Sequence, residues 1–185
     1  IRSDTGLEIG ATRRLAEIER CDLICVPGGP GVEAASVDQD FLAELKRLAS
    51  GARYITSVCN GSLILGAAGL LKGKRAACHW AWRDLLPTFG AIPVAERVVR
   101  DGNVITGGGV TAGIDFGLAM VAALRDDAYA KAVQLTAEYD PAPPFDAGSP
   151  ARAPAETTDL ITTMFAGFVE RARADCAAAA ARMPA

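Results

Sequence analysis

Cys59 stands in RYITSVCNGSLILGAAGL, residues 53–70, where a strand-forming run gives way to a helix-forming one. Tyr54, Ile55 and Val58 favour extended backbone, and Ser57 keeps the end of the run narrow. Gly61 follows two residues after the cysteine, where a tight strand-to-helix corner accepts a residue without Cβ. Ser62, Leu63, Ile64, Leu65 and Ala67 then carry the chain into a helix. A strand–Cys–x–Gly–helix corner is the geometry of a nucleophile elbow, with sulfur in place of oxygen. Such a corner sets the sulfur at a helix N-terminus, whose N–H groups and dipole favour a thiolate over a thiol. A thiolate is a competent nucleophile near neutral pH. A cysteine among apolar residues is otherwise a small buried hydrophobe; the corner around Cys59 favours chemistry.

Few other residues could share that chemistry. Gly28 and Gly29, in the PGGPG run at 27–31, can bring backbone N–H groups close to a substrate. With the Asn60 N–H they could form a cradle for developing negative charge. The same run could equally be a plain turn, and without a GxGxxG pattern it is a weak dinucleotide signal. Gly107 to Gly109 carries the same ambiguity and tilts toward structure. The Asn60 side chain could hold substrate or water, or merely cap the helix that follows. His79, the single histidine, closes the stretch Arg75 to Cys78 beside Trp80. It could act as a base or orienting group, or be a satisfied structural side chain. With one histidine and no ligand cluster, the sequence predicts no metal site.

The elements that must position these groups follow from periodicity and turn residues. Residues 1–16 read as a polar-edged extended segment, with Leu7, Ile9 and Ala11 alternating with Glu8 and Gly10. Leu23 to Val26 is a short buried strand, and Asp38 to Leu48 a helix with Phe41, Leu42, Leu45 and Leu48 on one face. Arg75 to Cys78 reads as a strand and Ala81 to Leu86 as a helix closed by Pro87 and Gly90. Arg97 to Arg100 and Val104 to Thr106 form a hairpin around an Asp101-Gly102 turn. Thr111 to Leu124 and Asp126 to Glu138 are helices. Alternating strands and helices with loops of this length predict a doubly wound, mostly parallel sheet flanked by helices. In such sheets ligands bind at the carboxyl ends of the strands, where PGGPG, CNGS, CHW and TGGGVTAG would meet. Residues 139–155 hold five prolines and read as an extended arm. The helix over 156–178 is amphipathic, with Leu160, Met164 and Phe168 in one row and Ile161, Phe165 and Val169 beside it. That face could pack on its own domain, wall a pocket or meet a second subunit. The Ala-rich tail from Cys176 reads as frayed.

Composition excludes several functions. The 185 residues are 50% hydrophobic with a net charge of −3, enough for one α/β domain over residues 1–185. No basic patch points to nucleic acid. No apolar run reaches the roughly 20 residues that span a bilayer, and no signal peptide is visible. The five cysteines, Cys21, Cys25, Cys59, Cys78 and Cys176, form no CxxC pair. Reduced thiols in a cytoplasmic protein are therefore expected.

SVCNGSLILGAAGLLKGKRAACHW, with ERVVRDGNVITGGGVTAGIDFGLAMVAAL, resembles the DJ-1/PfpI superfamily. CDLICVPGGPG and the EYDPAPPFDAGSP arm extend the likeness to about residue 155, and the arm favours its isonitrile hydratase branch. The resemblance implies a flavodoxin-like sandwich, a homodimer, no cofactor and no metal. It implies that Cys59 is the nucleophile, that Gly28 and Gly29 form the glycine loop near the sulfur, and that His79 lies close to it. Relatives usually carry threonine where this chain has Asn60. The implied reaction adds water to an isonitrile, giving an N-substituted formamide through a covalent thioimidate. The family's acidic residue falls in a segment before Ile1. A chain beginning there would lack an opening strand–helix–strand unit of roughly 40 residues, and that segment is expected in the intact protein. Two other readings remain: a redox or carbonyl-stress protein of the DJ-1 type, for which an oxidisable cysteine would serve, and a ligand-sensing domain without catalysis.

Overall fold

The computed structural model describes residues 6–10 and 12–183; the extended segment expected over residues 1–16 lies partly outside them. Within it, Leu15–Glu17 forms one 3-10 turn. Among the described residues the central sheet has four strands, in the order Leu23–Val26, Tyr54–Val58, Val104–Gly107, Val98–Asp101. β1 (Leu23–Val26), β2 (Tyr54–Val58) and β6 (Val104–Gly107) run parallel, and β5 (Val98–Asp101) closes the edge antiparallel to β6. The mostly parallel sheet is as expected. Asp101 pairs with Val104, so the two-residue turn is Gly102-Asn103 rather than Asp101-Gly102. Gly102, at φ 65°, takes the left-handed conformation that such a turn demands.

Successive side chains on a strand point to opposite faces, and β2 feeds two cores. Ile55 joins Leu42, Leu45, Leu63 and Leu65 on the face covered by α1 (Val32–Val37), α2 (Gln39–Ala49) and α3 (Gly61–Ala67). Tyr54 joins Ile105, Phe116 and Met120 under α4 (Ala112–Leu124), with α5 (Asp127–Thr136) beside it. Burial on both faces explains the unbroken run of β-formers before Cys59. The Asp38 side chain caps α2 by accepting the Phe41 N–H at 3.0 Å. α1 is a helix that the sequence pattern left unread.

Three expectations are corrected. The stretch Arg75 to Cys78 does not join the main sheet. Only Arg75–Ala76 (β3) is extended, and it pairs in parallel with Ile92–Pro93 (β4) as a separate ribbon. The expected helix over Ala81 to Leu86 is a 3-10 segment, Arg83–Phe89, tightened around Pro87 and ended by left-handed Gly90. The tail is not frayed at Cys176. α6 (Ala155–Ala180) continues past it, and Ala172, Cys176 and Ala179 are buried in the larger core. Small residues at this spacing let the helix sit close to the domain. Residues 139–154 form neither helix nor strand.

Candidate active site

The parallel strands deliver their loops to one place. Cys59 follows β2 directly and has φ 62°, a left-handed conformation that non-glycine residues rarely hold. Its N–H donates to the carbonyls of Gly107 and Gly108, at 3.2 and 2.7 Å, which fixes the corner against the end of β6. Behind it, a Cβ on Gly61 would stand 2.4 Å from the Val26 carbonyl oxygen, so only glycine lets α3 start against β1. A buried polar chain braces the turn. The Ser57 and Ser62 hydroxyls lie 3.0 Å apart, Ser62 Oγ donates to the Ala77 carbonyl at 2.6 Å, and the Ala77 N–H donates to Thr106 Oγ1 at 2.7 Å. This network ties the elbow to the segment that carries His79. No buried side-chain polar atom among the described residues lacks a partner.

Cys59, Asn60, Gly29 and His79 line one cavity of about 260 Å³, whose walls are mostly apolar. The structure thus brings these four candidate residues to one cavity. Gly28 lies against the same corner. A Cβ there would fall 2.6 Å from Cys59 Cβ and 2.4 Å from Asn60 Oδ1, so the loop's close approach to the sulfur requires glycine.

Two roles expected for these residues change. The Asn60 side chain does not cap α3. Its Oδ1 accepts the Gly29 N–H at 2.9 Å, and its Nδ2 donates to the Gly29 carbonyl at 3.4 Å. Asn60 thus clamps the glycine loop to the elbow. The Gly29 N–H is engaged by that clamp and is not a cradle donor, which leaves the Gly28 and Asn60 N–H groups as candidates. The Cys59 thiol is also not depressed in pKa. Burial against the apolar cavity raises it, and the Asn60 N–H acts in the opposite direction with the smaller effect. A seven-residue helix and a single N–H do not outweigh desolvation here. Burial thus favours the neutral thiol at Cys59.

His79 accepts the Ala81 N–H on Nδ1 at 3.2 Å, and burial lowers its pKa. The neutral ring with Nδ1 as acceptor carries its proton on Nε2. Aromatic rings hold it in place: Trp80 at 5.7 Å, Trp82 at 5.0 Å and Phe165 at 5.8 Å between centroids. Trp82, not Trp80, faces the Cys59 cavity. Trp80 instead lines a separate pocket with Gly148, Pro150 and Ile161, where the proline-rich arm returns to α6.

Pro30, from the PGGPG run, and Glu33, Trp82, Val110, Phe165 and Phe168 complete the cavity; the last five were not assigned to it from sequence. Phe165 and Phe168 carried a signal, the two apolar rows on α6. Ile161, Phe165 and Val169 turn inward, whereas Leu160 and Met164 are 60% and 63% exposed and do not pack on their own core. Glu33 had only its place four residues after Gly29. No group of three or more His, Cys, Asp or Glu among the described residues is arranged to hold a metal ion.

The chain is thus a flavodoxin-like α/β protein with a cysteine at a strand-to-helix elbow that faces an apolar cavity. Residues 1–123 match the DJ-1/PfpI family. The chain belongs to that family. It is 55% identical over 159 residues to isonitrile hydratase from Pseudomonas putida, an alignment covering 86% of this chain and 70% of that protein. A ThiJ/PfpI family protein from Pseudomonas syringae superposes with a TM-score of 0.91 at 51% identity, covering 95% of this chain and 74% of that one. A DJ-1 superfamily protein from Salmonella typhimurium superposes at 0.67 with 30% identity, covering 77% and 78%.

Proposed function

We propose that this protein hydrates isonitriles to N-substituted formamides, with Cys59 as nucleophile. The observation that carries the reading is the 55% identity to a named isonitrile hydratase over most of the chain. The apolar cavity before Cys59 supports it, because an isonitrile is a small, weakly polar molecule. The resting thiol supplies both partners of the first step. Sulfur bonds to the terminal isonitrile carbon, and the proton that leaves sulfur ends on that same carbon, giving a thioimidate, R–N=CH–S–Cys59. Water then adds to this carbon, one of its protons passing to nitrogen. Collapse breaks the C–S bond, returns a proton to sulfur and releases R–NH–CHO. The Gly28 and Asn60 N–H groups are suited to the charge that develops during attack. The Nε2–H of neutral His79, in the same cavity, is suited to donate to substrate nitrogen or to orient water.

The test is turnover of cyclohexyl and aryl isonitriles, read as loss of the isonitrile infrared stretch and appearance of formamide. Wild-type protein should convert them and Cys59→Ser should not. Absence of turnover with an intact cysteine would reject the reading and favour a redox role for Cys59. No helix among the described residues is long and apolar enough to cross a membrane, and a cytoplasmic location is part of this proposal. So is a homodimer: Leu160, Met164 and Phe145 are more than half exposed and offer an apolar surface for a second copy. Sedimentation at the mass of one 19.2 kDa chain would reject the dimer.

A further inference from the structure

The α6 side of the cavity holds more than an isonitrile group requires. Hydration of R–N≡C needs a thiol, water and an apolar wall, yet Glu33 also lines the cavity, together with the rings of Trp82, Phe165 and Phe168. The Trp82 and Phe165 centroids are 5.2 Å apart. A carboxylate beside aromatic faces is a site for a cation, which the ring quadrupoles and the negative charge both attract. The protein already places one there. Arg171 Nε lies 3.5 Å from Glu33 Oε2, and its guanidinium carbon lies 4.8 Å from the Phe168 centroid. That hold is loose, because the Arg171 side chain is 58% exposed and the ion pair is long. Arginine can swing to water, leaving Glu33 and the Phe168 face to a ligand.

We propose that the cavity selects substrates whose R group ends in a cationic, ammonium-type head. Glu33 sets this preference, and Arg171 is the internal cation that the head displaces. The isonitrile end of such a substrate rests on the function proposed above; the cation end rests on Glu33, Arg171 and the rings alone.

Two pairs of isosteres test it. Neohexyl isonitrile and its trimethylammonium analogue, in which nitrogen replaces the quaternary carbon, differ only in charge. Wild-type protein should favour the cation by about tenfold in kcat/KM. Glu33→Gln should bring the ratio close to one, and Arg171→Gln should raise it above the wild-type value. Opposite responses of the two variants are not a result that misfolding produces. A wild-type ratio of one or less, or a ratio that Glu33→Gln leaves unchanged, overturns the proposal while hydration of the neutral isonitrile still stands. Choline and neohexanol, which cannot react, give the second pair, with Trp82 fluorescence reporting binding. Choline should bind more tightly, and Glu33→Gln should abolish the difference. Glu33-dependent choline binding without any isonitrile turnover would keep the cation site and reject the hydratase reading. Equal binding of choline and neohexanol would overturn the cation site.

Discussion

Replacing Asn60 by alanine removes the clamp on the glycine loop, and the structure sets the size of the effect. The substitution deletes the 2.9 Å bond from the Gly29 N–H and the weaker 3.4 Å bond to the Gly29 carbonyl. It also leaves the half-buried Gly29 N–H without a protein partner. One good bond contributes about 1 kcal/mol, and a stranded donor adds to its loss, so unfolding free energy should fall by about 1–2 kcal/mol. For a chain of this size that is a drop of about 2–8 °C in Tm. Activity should fall further than stability. Gly28 is held against Cys59 and Asn60 at van der Waals limits, and a loop shift on the order of 1 Å can cost about a hundredfold in rate. Asn60→Asp keeps the short bond to Gly29 but places a negative charge beside the sulfur. It should retain more stability than alanine while moving Cys59 alkylation to still higher pH. Urea denaturation, isonitrile turnover and a pH series of iodoacetamide labelling read these outcomes. Loss of stability with kcat intact would refute the clamp's role in catalysis. Normal stability and normal kcat in Asn60→Ala would refute the clamp itself.

Iodoacetamide should label exposed Cys25 first and Cys59 increasingly as pH rises above the ordinary thiol range, with buried Cys78 and Cys176 protected until unfolding; fast labelling of Cys59 below neutral pH would contradict a resting thiol. His79 has a folded pKa below its unfolded one, so its contribution to stability is present above the unfolded value, near 6.5, and is lost as pH falls through the folded value. The raised Cys59 pKa acts at the other end, with stability lost as pH rises through its folded value. His79→Gln should flatten the acid limb of a denaturation-versus-pH curve, and an unchanged limb would exclude His79 as its source. Ending the chain before Cys176 withdraws Cys176 and Ala179 from the core and should destabilise by about 2 kcal/mol, read by urea denaturation; no change would restore the view of a frayed tail.

The sequence alone made legible the elbow, the strand–helix alternation and the convergence of the loops that carry Gly29, Cys59 and His79. These are local or topological facts. Propensity and glycine placement set the corner, and a mostly parallel sheet sends its loops to one edge. What the side chains do there was decided only by tertiary contact. In the sequence Asn60 could hold substrate or water or cap the next helix, and only the PGGPG loop, 31 positions away along the chain, decides its partner by offering the Gly29 N–H. Cys59 reads as a thiolate from its place before a helix, but desolvation is a property of the filled cavity and has the opposite sign. The short run Arg75 to Cys78 has strand propensity, yet its partner is β4 rather than the main sheet, and propensity does not name a partner. Glu33 and Phe168 are far apart in sequence and belong to helices whose faces alone do not say what they enclose. Only the docking of α6 across α1 closes the cavity between them and brings Arg171 to the carboxylate.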